Sequence, residues 1–348
     1  MKLGLGLSGG AGGAKPSVNI LVIGQSLGNL MFNDPSFTHP TAGIDALRSE
    51  LRKYFGRINV INAARNGIAI MNQNAGAAGS YLAADETSKS TDYTALITDG
   101  VSAAGLNGED IDFIIQMIGN TDASGMDDGT PSVNAMKNAM SALKNHLLSD
   151  FAHALYGIIP LGADLNSNQF TGFLNFGKAE YEFIRDNADV MEMPSYLAGP
   201  YKDDTHLSEA GAAAFWPRVG RRIASLKNRI GQKNTLGPKF SGIEFDVANN
   251  LIFLSLEFDG TTHWSVGNEP KHFVFNINGT LYNPAFVVKD TDIPSRVRTR
   301  PNGYAIQSGD IIRVEAMTSN FKGLSIEDLL KDANNFPACP VTDIEGTV

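Results

Sequence analysis

Val18-Asn19-Ile20-Leu21-Val22-Ile23, running into Gly24-Gln25-Ser26-Leu27-Gly28, decides how the chain is read. A continuous apolar run of this kind is a strand buried on both faces, and here it delivers a serine at its mouth. About 180 residues downstream comes Asp203-Asp204-Thr205-His206, followed by the helix-like Leu207-Ser208-Glu209-Ala210-Gly211. A serine hydroxyl is a poor nucleophile at neutral pH. It needs a base within hydrogen-bond reach, and the base needs a carboxylate to fix its tautomer and stabilise its charged form. Asp-x-x-His lets one short turn supply base and orienter together. The pairing of Ser26 with Asp203 and His206 points to a hydrolase.

From residue 17 to about 230 the pattern alternates strand and helix. The apolar runs predict strands at 18–23, 58–62, 111–118, 153–161 and, more briefly, 189–193. Helical spacing joins Ile44, Leu47, Leu51 and Phe55 in 43–56, and Val133, Met136, Met140, Leu143 and Leu147 in 132–149, with Ser132 as N-cap. Phe173, Phe176, Tyr181 and Ile184 mark a helix over 172–186, and 207–229 forms the last one. Such alternation implies a parallel sheet covered by helices on both faces. Sites in these sheets lie at the carboxyl ends of strands, where Ser26 falls. Residues 76–108, rich in Ala, Gly, Ser and Thr, fit poorly and read as an insertion or a long loop near the site.

Around 231–239 the texture changes. Period-2 strands follow: Ile243/Phe245/Val247, Ile252/Leu254/Leu256/Phe258 and Phe273/Phe275/Ile277. Asn249-Asn250 separates the first two, and Asn278-Gly279 is a hairpin signal. Further strands are expected at 285–289, 304–306 and 311–317. This reads as a small antiparallel β-sandwich. The expected organisation is a Gly-rich arm at 1–16, an α/β domain at 17–230, a β-sandwich accessory domain at 238–320, and an irregular tail at 321–348 with one short helix, Ile326 to Leu330. There is no internal repeat.

Composition narrows the function. Apolar residues make up 43% and charged residues 19%, enough for ordinary cores. A net charge of −9 argues against a nucleic-acid partner, which demands a basic face. The single cysteine, Cys339, excludes an intrachain disulfide, and no Cys/His cluster has zinc spacing. No metal and no cofactor is expected. The glycine-broken start, Gly4-Leu5-Gly6-Leu7, lacks the continuous apolar region of a signal peptide and reads as a flexible or anchoring arm. No run approaches the ~18 apolar residues of a membrane span.

Four short blocks, in order along 17–228, resemble the SGNH (GDSL-like) hydrolase superfamily, and within it the sialate O-acetylesterase-like carbohydrate esterases. They are Gly24-Gln25-Ser26; Asn62-Ala63-Ala64-Arg65-Asn66-Gly67-Ile68-Ala69-Ile70; Gly119-Asn120-Thr121-Asp122; and Asp203-x-x-His206. The resemblance implies a flavodoxin-like SGNH three-layer α/β/α sandwich. It also implies a Ser26–His206–Asp203 triad and an oxyanion hole built from the Ser26 and Gly67 amides and the Asn120 side chain. The third block departs from both Gly-x-Asn-Asp and Gly-Glu-x-Asp, so either Asn120 or Thr121 occupies the oxyanion position. Asp122 reads as structural, bonding backbone near the nucleophile turn. His39, His146, His153, His263 and His272 read as surface or packing residues, and Asp34 and Asp164 as loop residues bordering the cleft.

The resemblance implies a serine esterase acting on an acetylated carbohydrate. Its alternative is a catalytically retired fold that binds glycan or serves as a structural part, and the distance from His206 to Ser26 separates the two. The Gly-Leu-Gly-Leu start and the added β region also resemble bacteriophage or prophage tail proteins that deacetylate surface polysaccharide. That likeness implies virion or homo-oligomeric assembly and action outside the cell; the alternative is a plain cytoplasmic enzyme.

Overall fold

Five strands, β1 (Val18–Gly24), β2 (Ile58–Ala64), β3 (Phe113–Met117), β4 (Leu155–Ile158) and β5 (Val190–Glu192), form one parallel sheet in the order β2-β1-β3-β4-β5. The structure is a computed structural model and describes residues 14–161, 170–194, 196, 201–203, 206–230, 235–257, 264–265, 273–316, 331–332 and 344–348. Most of the Gly-rich arm, Asp164, Asp204, His263, His272, the helix expected at Ile326–Leu330 and Cys339 lie outside these residues.

The continuous apolar runs explain the layering. In β1, Leu21 and Ile23 point into one buried cluster, while Val18, Ile20 and Val22 point into another. The second cluster is closed by α1 (Ser26–Phe32), α2 (Ala42–Leu51) and α8 (Glu209–Leu226), which supply Met31, Leu47 and Trp216. The first is closed by α6 (Val133–Asp150) and α7 (Phe170–Asp186), with Leu143 and Phe183. Three helical turns from the insertion also close it: α3 (Thr91–Tyr93), a π-helical turn at Thr94–Thr98, and α4 (Asp99–Ala103). The insertion is therefore no loose loop. Tyr81, Leu82, Tyr93 and Ile97 are fully buried in the core, a content that its many small residues concealed.

Chain direction fixes where a site can form. From β1 the chain crosses to β2 on one side and then returns to β3 on the other. The crevice at this reversal lies at the carboxyl ends of β1 and β3. Residues 25–26 and 118–121 emerge there, the latter leading into α5 (Asn120–Gly125).

After Thr235 come β6 (Lys239–Asp246), β7 (Leu251–Glu257), β8 (Trp264–Ser265), β9 (Phe273–Ile277), β10 (Thr280–Tyr282), β11 (Pro284–Lys289), β12 (Arg296–Pro301), β13 (Ile311–Ala316), β14 (Lys331–Asp332) and β15 (Glu345–Thr347). They form two four-stranded antiparallel sheets, β10-β9-β13-β15 and β11-β12-β7-β6, and a two-stranded one, β14-β8. Ile252, Leu254 and Val297 of one large sheet share a buried cluster with Phe273, Phe275, Ile312 and Val314 of the other. The turn residues behave as their types require: Asn250, Asn278 and Gly279 have φ of 53°, 51° and 89°.

Three expectations for this region need correction. Residues 304–306 form no strand, although Ile306 is buried, and the strand in that part of the chain is β12. Val247, expected to face inward, is 45% exposed beyond the end of β6. Residues 345–347, expected in an irregular tail, pair with β13 as an edge strand.

Candidate active site

The turn that carries Ser26 is built on a glycine whose φ and close contact leave no room for a side chain. Gly24 has φ of +145°, and a Cβ there would sit 2.0 Å from the Met117 carbonyl oxygen. The chain therefore passes close over β3, and the Gln25 N–H donates to that same oxygen at 3.2 Å. Ser26 follows as the first residue of α1. Beneath the turn lies Tyr81, whose hydroxyl accepts from Gly24 N at 3.0 Å and donates to the Ala63 carbonyl at 2.7 Å.

The structure brings Ser26, His206 and Asp203 together. His206 Nε2 lies 2.9 Å from Ser26 Oγ, and its Nδ1 lies 3.0 Å from both carboxylate oxygens of Asp203. Asp203 Oδ1 also accepts the His206 backbone N–H at 2.7 Å. With Nδ1–H donated to the carboxylate, Nε2 is the acceptor that faces the serine hydroxyl. The turn itself is closed by Lys202 N donating to the His206 carbonyl at 2.9 Å, and Tyr196 Oη accepts the Leu207 N–H at 3.1 Å.

Gly67 stands after β2 with φ of +76°, the left-handed conformation that favours glycine. The reason for glycine is this angle rather than crowding, since the nearest atom to an added Cβ is Ala78 Cβ at 3.4 Å. An asparagine chain sets the loop against α1: Asn62 donates to Asn29 at 2.8 Å, and Asn29 to Asn66 at 2.9 Å. The sequence did not mark Asn29, which sits one helical turn after Ser26.

The third block is fastened through Thr121. Its N–H and hydroxyl each lie 3.2 Å from Gln25 Oε1, and the hydroxyl is 3.2 Å from the Gly67 carbonyl. Thr121 is thus committed to its neighbours. The Asn120 side-chain amide and the backbone N–H groups of Ser26 and Gly67 carry no hydrogen bond among the described residues. Asp122 is fully buried and structural, but not at the nucleophile turn. It accepts Ile70 N at 2.7 Å, Met71 N at 3.2 Å and Asn74 Nδ2 at 3.1 Å, and so shapes the chain after Gly67. Burial pushes its carboxyl up to about 6, against the pull of these donors.

Beside His206 opens a recess of about 270 Å³, lined by Leu27, Leu30, Phe37, Tyr196, Leu207 and Trp216 among others. Among the described residues no three His, Cys, Asp or Glu side chains cluster to hold a metal ion, and no helix is long and apolar enough to cross a membrane. His39, His146 and His153 are bonded to groups other than Ser26. They contact Glu209 at 2.7 Å, the Thr87 carbonyl at 2.7 Å and Glu109 at 2.8 Å.

No family model matches the chain, and no curated protein matches its sequence. Among solved structures it is similar to a carbohydrate acetylesterase from Xanthomonas citri, with 13% identity, a TM-score of 0.64, and coverage of 94% of this chain and 80% of that one. A carbohydrate acetylesterase from Sinorhizobium meliloti matches at 14% identity and TM-score 0.41 over 60% of this chain and 99% of its own. A lipase/acylhydrolase from Enterococcus faecalis matches at 15% identity and TM-score 0.41, covering 60% of this chain and 96% of that one. The likeness is one of fold, shared over 94% of this chain.

Proposed function

We propose that the protein is a serine esterase that removes acyl groups, foremost O-acetyl groups of a carbohydrate, with Ser26 as nucleophile, His206 as base and Asp203 as its orienter. The observation that carries this reading is the 2.9 Å contact between His206 Nε2 and Ser26 Oγ at the carboxyl end of β1. A retired fold has no need to keep that contact or the two-oxygen Asp203 partner behind it.

In this reading Ser26 Oγ attacks the ester carbonyl and passes its proton to His206 Nε2. The imidazolium, stabilised by Asp203, then returns the proton to the leaving alcohol as the C–O bond breaks. Water repeats the sequence on the acyl-serine and releases the acid. The oxyanion falls to the uncommitted donors, the Ser26 and Gly67 N–H groups and the Asn120 amide, each worth about 10²–10³ in rate. Thr121, already bonded to Gln25 and Gly67, acts as the fastener of this loop.

The choice of an acetylated carbohydrate is supported by the fold shared with the Xanthomonas citri acetylesterase over 94% of this chain. The division into an α/β unit at 17–230 and a β unit at 238–320 assigns chemistry to the first and polymer binding to the second. The test is hydrolysis of p-nitrophenyl esters of increasing chain length and of an acetylated polysaccharide, by wild type and Ser26→Ala. Acetate release with preference for the shortest ester, reduced about 10³-fold or more in the variant, is expected. Near-normal turnover by Ser26→Ala would remove Ser26 from the chemistry.

A further inference from the structure

The nucleophile's own helix ends in a loop that grips the catalytic turn from both sides. α1 begins at Ser26 and ends at Phe32, and residues 33–41 follow. Upstream of the acid and base, Asp34 Oδ2 lies 2.6 Å from Lys202 Nζ, which also donates to Ser36 Oγ at 2.9 Å. The same ammonium lies 5.3 Å from the centre of the Phe37 ring. Downstream, Glu209 accepts the Thr38 N–H at 2.9 Å and contacts His39 Nδ1 at 2.7 Å. Lys202 is adjacent to Asp203, and its backbone N–H closes the turn onto the His206 carbonyl.

We propose that the Asp34–Lys202 ion pair is a positioning device that sets His206 against Ser26, resting on the esterase reading above. Two features separate it from an ordinary loop contact. The two carboxylate oxygens divide their work: Oδ1 accepts Ser36 N at 3.0 Å and Ser36 Oγ at 2.6 Å, closing the loop on itself, while Oδ2 takes Lys202. The Asp34 side chain is also only 2% exposed. A carboxylate that deep requires a partner, so Lys202 is held to one place. α1 starts at Ser26 and ends two residues before Asp34, so the pair links the serine's helix to the histidine's turn. A misplacement of about 1 Å in such a pair can cost about 10²-fold in rate.

The experiment compares wild type, Asp34→Asn, Lys202→Arg and the double variant Asp34→Asn/Lys202→Met, which neutralises both partners so that no lone charge stays buried. Steady-state hydrolysis of p-nitrophenyl acetate, the rate of Ser26 labelling by a fluorophosphonate, and circular dichroism are measured for each. The expected result is kcat about 10–100-fold lower in Asp34→Asn and the double variant, with KM within about twofold and slower labelling by a similar factor. Lys202→Arg, which keeps the cation, is expected to stay within about threefold of wild type. A folded double variant with wild-type kcat, or a loss in KM alone, overturns the proposal. If the double variant is unfolded, the kcat of Asp34→Asn decides by the same criterion. A wild type that neither hydrolyses esters nor labels at Ser26 overturns the esterase reading itself, and this inference with it.

Discussion

The buried amide of Gln25 accepts the backbone N–H of Thr121 at 3.2 Å, which ties the residue before the nucleophile to the loop that carries Asn120. The same oxygen meets the Thr121 hydroxyl, so one side chain sets the spacing between the first and third blocks. Gln25→Ala leaves the Thr121 N–H without its partner, a loss of about 1–3 kcal/mol. The expected outcome is a lower melting temperature together with about tenfold lower kcat and little change in KM. An unchanged kcat would detach the third loop from catalysis.

Asn120→Ala is expected to lower kcat/KM by about 10²–10³-fold without changing stability, because its side-chain amide makes no hydrogen bond among the described residues. Thr121→Val should do the reverse, reducing the melting temperature more than the turnover. Steady-state kinetics and thermal melts of the two variants check the division; equal behaviour would merge the two roles.

In the proposed mechanism His206 Nε2 takes the proton of Ser26 Oγ while Asp203 holds Nδ1. Asp203→Asn keeps an oxygen near Nδ1 but removes the charge that stabilises the imidazolium. Asp203 is 49% exposed, so water shares that task, and a loss of about 10²-fold in kcat is expected, short of the ~10⁴ seen for a buried orienter. A fully active Asp203→Asn would contradict the triad.

Asp122 makes stability fall as pH rises. Its carboxyl is raised to about 6 in the fold against an ordinary 3.8, so the folded state holds its proton longer than the unfolded chain does. That stabilisation is complete below the unfolded value and is lost as pH climbs through about 6, in total about 3 kcal/mol. Asp122→Asn has no such titration, so its deficit relative to wild type should shrink between pH 4 and 7. Denaturant melts across that range, or the Asp122 carboxyl resonance followed by NMR, provide the check.

A chain ending at residue 235 is expected to fold and to hydrolyse p-nitrophenyl acetate, while losing most of its activity on polysaccharide. Thr235 is fully buried and accepts Arg222 Nη1 at 3.0 Å, so the cut belongs after it rather than before. The β region has its own buried cluster and contributes none of the triad. A folded 1–235 chain inactive on small esters would place part of the site in the sheets beyond.

The sequence was legible wherever burial was two-sided. β1 and β3 are apolar apart from Asn19 and Gln116, and no period-2 alternation obscures them. β12 falls outside the expected strands because Arg296, Arg298 and Arg300 put a charge on every second position. In the fold they alternate with buried Val297 and Thr299, and Arg296 stacks 4.3 Å from the centre of the Phe253 ring. In β6, a register shift between Phe240 and Gly242 adds a residue, so Phe240 joins Ile243 and Phe245 in one cluster despite the odd spacing. Asp203 and His206 stand out in the sequence because Asp-x-x-His is local. The side chains that hold them, Gln25, Asn29, Tyr81, and the pair Asp34 and Lys202, act across 33 to 168 residues, a distance no local spacing encodes.

Tyr81 gives the segment 76–108 a status that its composition hides. The strand order would survive without this segment, since β2 and β3 each pair with β1 and not with one another. Yet the Gly24 N–H and the Ala63 carbonyl both find their partner in the Tyr81 hydroxyl, in a place no solvent reaches. Any trimming that removed Tyr81 would take this partner from two backbone groups beneath Ser26. The excursion is therefore a heritable fixture: whoever transplants Ser26 and its turn onto another scaffold must carry the tyrosine along.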